Sequence, residues 1–251
     1  MKNNTRQILE TLQKVVIWFV LASLGTMFLV IACHQPRPQT TEVFVLWDIT
    51  EPHQPVPEAR SVLQLYGLDK DPSRGAIFRF SFVNDLQLNQ ETVFELPASA
   101  QNVLSNQFDR KREIDRFVSN VTAFLDSLAM DTVGREQSAL YVPIAQTVNI
   151  LAQSSSDRKI LLLYSDLREN TARLSFYDKR TIAQMQADSA RLASTLESEE
   201  PLGELSGIEV YILYQPRDVA DDVSFATVSR FYRGLFTAKG ATVTVAASLN
   251  P

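Results

Sequence analysis

The stretch RKILLLYSD, residues 158–166, is a run of apolar residues that ends in an aspartate. A short apolar run of this kind is typical of a β-strand that is buried on both faces of a sheet. A second run, EVFVLW at residues 42–47, is followed by Asp48, and a third, IEVYILY, occupies residues 208–214. These runs predict the central strands of a mostly parallel sheet.

Segments with helical or weaker strand patterns separate the three runs. The remaining strands are predicted at residues 75–83, 91–96 and 241–246, and helices at 57–66, 143–153, 181–198 and 222–239. Strands that alternate with helices predict one α/β domain with a three-layer, Rossmann-like architecture: a mostly parallel central sheet with helices on both faces. This domain is expected to span residues 42–251.

The clearest helical signal lies between residues 106 and 130, where apolar side chains recur at intervals of three and four. The members of this stripe are Ile114, Phe117, Val118, Val121, Phe124, Leu125 and Leu128. Such spacing places them on one face of a helix. We expect this face to pack on the sheet.

The N-terminal segment has the pattern of a membrane-targeting or membrane-anchoring segment, and it is not expected to be part of the domain. Residues 15–33, VVIWFVLASLGTMFLVIAC, carry no charge and follow the basic residues Lys2, Arg6 and Lys14. This pattern fits either a cleaved signal peptide or an uncleaved membrane anchor. Because the basic residues precede the apolar run, the domain is expected on the extracytoplasmic (periplasmic) side. Residues 34–41 (HQPRPQTT) contain two prolines and predict a short tether.

The end of the apolar run, residues 30–33 (VIAC), resembles the bacterial lipobox. In that motif, small and aliphatic residues precede a cysteine that becomes lipid-modified and forms the mature N-terminus. The resemblance implies that Cys33 is the site of lipidation. The alternative is an uncleaved anchor helix in which Cys33 has no such role.

Composition excludes several classes of function. The net charge is −5 without a basic run, so the chain is not expected to bind nucleic acid. One cysteine cannot form an internal disulfide, and with the two histidines it supplies too few ligands for a Cys/His zinc site. The sequence contains no G-x-G-x-x-G, GK[ST], HExxH or G-x-S-x-G motif.

Two aspartates come at the ends of predicted strands, Asp48 after residues 42–47 and Asp166 after the run that begins at residue 158. In a doubly wound sheet, ligands bind outside the carboxyl ends of the strands, near the point where the strand order reverses. Arg168, Glu169 and Asn170 follow Asp166 and either line the same crevice or form an ordinary polar turn. The candidate functional site is therefore at this edge of the sheet.

The order of elements and the residues after the first strand resemble the von Willebrand factor A family. Its metal-ion-dependent adhesion site has the pattern Asp-x-Ser-x-Ser after the first strand, a threonine from a later loop and an aspartate after the fourth strand. Asp48 and Thr50 match the first two positions, and Asp166 matches the later aspartate. Ser138 is assigned to the loop hydroxyl, whereas Pro52 stands where the third position needs one.

The resemblance implies a weakened site for Mg²⁺ or another divalent cation, held by Asp48, Thr50, Ser138 and Asp166, with Glu51 as a substitute ligand near the lost position. In that family, an acidic side chain of a partner protein completes the coordination. It therefore implies a non-enzymatic, membrane-tethered module for protein binding or assembly, with an unknown protein partner.

Two alternatives to this interpretation stay open at the level of sequence. Asp48 and Asp166 are also suited to cap turns and helix N-termini, with no metal involved. In an alternative function, the two aspartates, a metal ion and His53 as the base would form an extracytoplasmic hydrolase. The chain shows no obvious nucleophile with an adjacent base, which favours the binding module.

Overall fold

A computed structural model describes residue 18 and residues 38–50, 55–83, 91–99, 107–128 and 139–249. The chain divides into two units at residue 37, and the sheet belongs to the second, residues 38–251. Within these described ranges, no helix is both long and apolar enough to span a membrane. The helices and strands, in chain order, are β1 Thr40–Asp48, α1 Ala59–Gln64, β2 Gly75–Val83, β3 Thr92–Leu96, α2 Gln107–Leu128, α3 Tyr141–Gln153, β4 Arg158–Tyr164, α4 Lys179–Ala187, α5 Ser189–Glu197, β5 Ile208–Leu213, α6 Val219–Ala238 and β6 Thr242–Ala246.

The strands form a single six-stranded sheet in the order β3-β2-β1-β4-β5-β6. Only β3 is antiparallel to its neighbour, and the other four pairings are parallel. This confirms the predicted α/β class with a mostly parallel sheet. The strand order is that of a doubly wound fold, and it reverses between β1 and β4. The carboxyl ends of β1 and β4 therefore lie side by side at the topological switch point.

Helices cover both faces of the sheet, so the architecture has three layers as predicted. Helices α3 to α6 pack on one face, where Phe44 and Leu161 point, and α1 and α2 pack on the other face with Val45 and Leu162. Within the predicted stripe of α2, four side chains are buried against the sheet: Phe117, Val121, Leu125 and Leu128. The other three are partly buried against the same core.

The predicted bounds differ from the observed ones by one to three residues at most elements, and two differences have a clear physical cause. The first strand begins at Thr40, inside the predicted tether, because residues 40–48 pair with β2 along its full length. The predicted helix at 181–198 is two helices, which meet at Asp188. The backbone of Asp188 is not helical, and its carboxylate accepts a hydrogen bond from the N–H group of Arg191 at 3.0 Å. An aspartate that caps a helix in this way starts a new helix instead of continuing the old one.

Candidate functional site

The carboxylate of Asp48 joins the ends of the two central strands. Its Oδ1 atom accepts hydrogen bonds from the backbone N–H and the hydroxyl of Thr50, at 2.9 and 2.6 Å. Its Oδ2 atom accepts a hydrogen bond from the hydroxyl of Ser165 at 2.8 Å. Ser165 directly follows β4, whose Tyr164 pairs with Trp47. Asp48 is fully buried, so these donors replace the water that a carboxylate needs.

The turn after β4 has a strained backbone at Leu167. Its φ is +63°, in the left-handed region that a bulky L-residue rarely occupies, and its side chain is fully buried. Hydrogen bonds hold the turn on both sides. The N–H of Leu167 donates to the hydroxyl of Ser165 at 2.9 Å, and the N–H of Arg168 donates to Oδ1 of Asp166 at 2.9 Å.

The guanidinium group of Arg168 lies between two buried carboxylates. Its Nε atom is 3.6 Å from Oδ2 of Asp166, and its Nη2 atom donates to Oδ1 of Asp221, at the start of α6. The ring of Tyr177 covers the guanidinium, with its centroid 5.5 Å from the Cζ atom. Because a guanidinium already lies beside Asp166, the charge of this carboxylate is balanced by a side chain of the same loop.

Asp221 ties this cluster to β5 and α6. Its Oδ2 atom accepts hydrogen bonds from the hydroxyl of Tyr214 and the N–H of Arg217, each at 2.8 Å. Burial raises the pKa of the Asp221 carboxyl, but these hydrogen bonds and Arg168 outweigh it, so the pKa lies below its ordinary value. Asp221 is therefore charged, and it fixes the position of Arg168.

Glu169 connects the same loop to helix α3. Its Oε2 atom accepts hydrogen bonds from the N–H groups of Leu140 and Tyr141, both at 2.9 Å, at the start of the helix. Burial is the main cause that raises the pKa of the Glu169 carboxyl to about 7, and the two hydrogen bonds oppose the rise. A carboxylate placed this way supplies the cap that the helix itself lacks, since Leu140 has no capping side chain.

The hydroxyl of Tyr232, on α6, is fully buried. Burial raises the pKa of this phenol well above its ordinary value, and the negative charges of Glu169, Asp166 and Asp48 raise it further. Among the described residues, no hydrogen-bond partner for this hydroxyl is found. The carboxylates themselves are brought together by the strands, because Asp48 ends β1, Asp166 follows the neighbouring strand β4, and Ser165 donates to Asp48.

Asp48, Thr50 and Asp166, three of the four predicted metal ligands, therefore lie at the same edge of the sheet. Ser138, like Cys33, lies outside the described residues, as do Glu51, Pro52 and His53. In the part of the chain that the structure describes, no three His, Cys, Asp or Glu side chains form a group able to hold a metal ion.

The sequence analysis placed Arg168 and Glu169 at this edge but missed Asp221, Tyr214 and Tyr232. For Asp221 a signal was present. Residues 218–221, DVAD, carry an N-cap aspartate and an acidic side chain three residues later, which is typical of the first turn of a helix. No pattern in the sequence could place Tyr232, because its position in the cluster depends on the packing of α6 over the sheet.

Comparison with known proteins adds no further constraint. No family model matches this chain, and no curated protein matches it.

Proposed function

We propose that this protein is a non-enzymatic binding or assembly module, similar to von Willebrand factor A domains, that docks a protein partner at the carboxyl edge of its sheet. The observation that carries this proposal is the left-handed backbone of Leu167 between Asp166 and Arg168. A buried leucine in this conformation costs about 1–3 kcal/mol, and such strain is concentrated at functional sites.

The surrounding contacts support a site that is organised before the partner arrives. Ser165 and Asp166 hold the turn from one side, and Asp221 holds Arg168 from the other. A rigid polar centre loses little conformational entropy on binding. Next to it, Tyr177 exposes 51% of its surface. An exposed aromatic side chain beside an arginine is a common anchor of protein interfaces.

Divalent cation binding belongs to the proposal as a weak, secondary property. Asp48, Thr50 and Asp166 supply oxygen atoms of the kind that Mg²⁺ prefers, and Ser138 is the proposed fourth ligand. The described contacts do not fit a strong site, because both oxygens of Asp48 accept hydrogen bonds and Asp166 faces a guanidinium. A cation that binds here must compete with Arg168 for the charge of Asp166.

Anchoring to the membrane remains part of the proposal on the strength of the sequence. In this proposal, the apolar run that ends at Cys33 anchors the chain, and the short tether keeps the domain close to the outer face of the membrane. The alternative hydrolase would rely on His53, and no contact among the described residues favours that function.

The proposal is tested by affinity capture of the full chain, extracted from its native membrane, with the wild type compared with two variants. Tyr177→Ala removes the exposed ring at the carboxyl edge. Phe108→Ala is the matched control, because it removes an exposed ring at the start of α2. This end of α2 lies at the opposite edge of the sheet, where Arg110 donates hydrogen bonds to the carbonyl oxygens of Pro72 and Arg74, just before β2.

We expect Tyr177→Ala to reduce recovery of a specific partner at least tenfold and Phe108→Ala to leave it unchanged. Chelator should reduce recovery less than twofold, because Arg168 supplies the positive charge of the site. Equal recovery with both variants would contradict docking at the carboxyl edge.

A further inference from the structure

The outer face of helix α6 carries exposed apolar side chains and borders a groove. Val219 and Val223, one turn apart near its start, expose 81% and 62% of their surface. Toward its end, a groove of about 800 Å³ opens between α6 and the pair α4 and α5. Small side chains line much of this groove: Ala190, Ala193 and Ser194 on α5, and Gly234 and Ala238 on α6. Exposed valines beside a groove of small residues suit close packing against a second helix.

The same face of α6 carries opposite charges in its two halves. Asp222 is exposed in the first half, and Arg230 and Arg233 are exposed in the second half. Within the described residues, none of these three side chains forms an ion pair. The helix therefore presents an acidic beginning and a basic end to its surroundings.

These side chains lie on one face of the helix. At 3.6 residues per turn, Val219, Asp222, Val223, Ala226, Arg230 and Arg233 fall within an arc of about 100°. Ala226 is at the centre of this set and is small enough to let another helix come close. When two such helices pack antiparallel around a two-fold axis at Ala226, Asp222 of each lies opposite Arg230 of the other.

We propose that the exposed face of α6 is the interface of a homodimer, in which the α6 helices of two copies pack antiparallel across a two-fold axis at Ala226. The charges favour a second copy of this chain as the partner. A two-fold interface uses the same surface of both copies, so that surface must be complementary to itself, as the acidic beginning and basic end of α6 are. The antiparallel arrangement also aligns the helix dipoles favourably, with each N-terminus near the partner's C-terminus. Val219 then lies opposite Arg233 of the second copy.

Disulfide trapping of the full chain in detergent micelles tests the proposed axis. In a Cys33→Ser background, Ala226→Cys supplies the single thiol, and two copies of it meet at the axis within disulfide reach. Ser119→Cys, exposed on α2 at the opposite face of the sheet, is the matched control. We expect mild oxidation to convert most of the Ala226→Cys chains to dimer and at least tenfold fewer of the Ser119→Cys chains. Equal yields from the two variants would overturn the proposal.

Charge exchange in the same background separates this interface from chance collision in micelles. Asp222→Arg or Arg230→Asp alone places like charges opposite each other and should lower the dimer yield of Ala226→Cys at least fivefold. The double variant Asp222→Arg/Arg230→Asp restores opposite charges and should restore the yield. Circular dichroism of each variant checks that the helices are intact. Single variants that cross-link as well as the parent, or a double variant that does not recover, would refute the antiparallel pairing.

Discussion

The Oε2 atom of Glu169 lies 2.9 Å from the backbone nitrogen of Tyr141, so a side chain in the loop after β4 accepts a hydrogen bond from the start of α3. The carboxyl has its pKa raised to about 7, mainly by burial, from an ordinary value of 4.5. The folded protein therefore keeps a proton on Glu169 at a pH at which the unfolded chain has lost it. Folding and proton binding are coupled at this residue.

This coupling predicts that stability decreases as pH rises. The contribution of Glu169 is fully present below its unfolded pKa and is lost as pH rises through the folded value near 7. We expect urea denaturation to show a fall of about 2 kcal/mol in the free energy of unfolding between about pH 5 and pH 8 from this group. Glu169→Gln stays neutral and still accepts hydrogen bonds, so its profile should be flatter. The control Glu95→Gln, exposed on β3, should keep the wild-type slope.

The strain at Leu167 predicts an unusual order of stability among its variants. Leu167→Ala removes a buried side chain and keeps the left-handed backbone, which should cost about 2–5 kcal/mol. Leu167→Gly loses the same contacts but adopts positive φ without strain, so it should be at least as stable as Leu167→Ala. At Leu163, buried inside β4, the order should be the usual one, with glycine less stable than alanine. The four variants are compared by thermal denaturation. If the glycine variant is less stable than the alanine variant at both positions, the backbone of Leu167 is not strained.

The layers of the fold could be predicted from the sequence because the spacing of apolar residues within each helix or strand depends only on neighbouring residues in the chain. The stripe of α2 and the apolar runs of the central strands each reveal which faces are buried. The sequence could not predict the contacts of Glu42, which lies in the apolar run of β1 and is buried. Its carboxylate accepts hydrogen bonds from Arg79 at 2.7 Å and from Ser156 at 2.9 Å. Those partners are 37 and 114 residues away, and only the pairing of the strands brings them together.

The candidate site shows the same division. Asp48 and Asp166 were predicted to meet because both follow neighbouring central strands. The arginine beside Asp166 was recognised only as a residue of the crevice. Its pairing with Asp221 requires the start of α6 to lie against the loop after β4. The two residues are 53 positions apart in the sequence, so no local pattern predicts that they pair. A motif in the sequence therefore identifies the carboxylates of the site, but it does not identify the arginine that balances their charge, because that pairing depends on tertiary contacts.

The packing of α2 provides a direct test of the fold. Phe117 is buried, and its ring meets that of Tyr66 edge to face, with centroids 5.4 Å apart. Phe117→Ala should lower the free energy of unfolding by about 3–5 kcal/mol. Ser119→Ala changes an exposed position on the same helix and should alter stability by no more than about 0.5 kcal/mol. Similar denaturation midpoints for the two variants would show that the buried face of α2 is assigned incorrectly.

The nature of the anchor is tested at Cys33, the only cysteine of the chain. If this thiol carries a lipid, metabolic labelling with a fatty-acid analogue should mark the wild type and not Cys33→Ser. Arg37→Ala, in the tether, leaves the cysteine in place and should be labelled like the wild type. No label in any of the three proteins would favour the uncleaved helix as the anchor.

Titration with Mg²⁺ tests whether the carboxylates at the switch point hold a cation. Because Arg168 already balances Asp166, we expect stabilisation of the full chain only at millimolar concentrations, about 0.4 kcal/mol when the concentration equals the dissociation constant. Asp48→Asn removes one charged ligand and should abolish this response, whereas Asp115→Asn, exposed on α2, should preserve it. The measurement is the thermal denaturation midpoint with Mg²⁺ and with chelator. A large shift at micromolar Mg²⁺ would mean that a metal ion, and not Arg168, provides the main positive charge of the site.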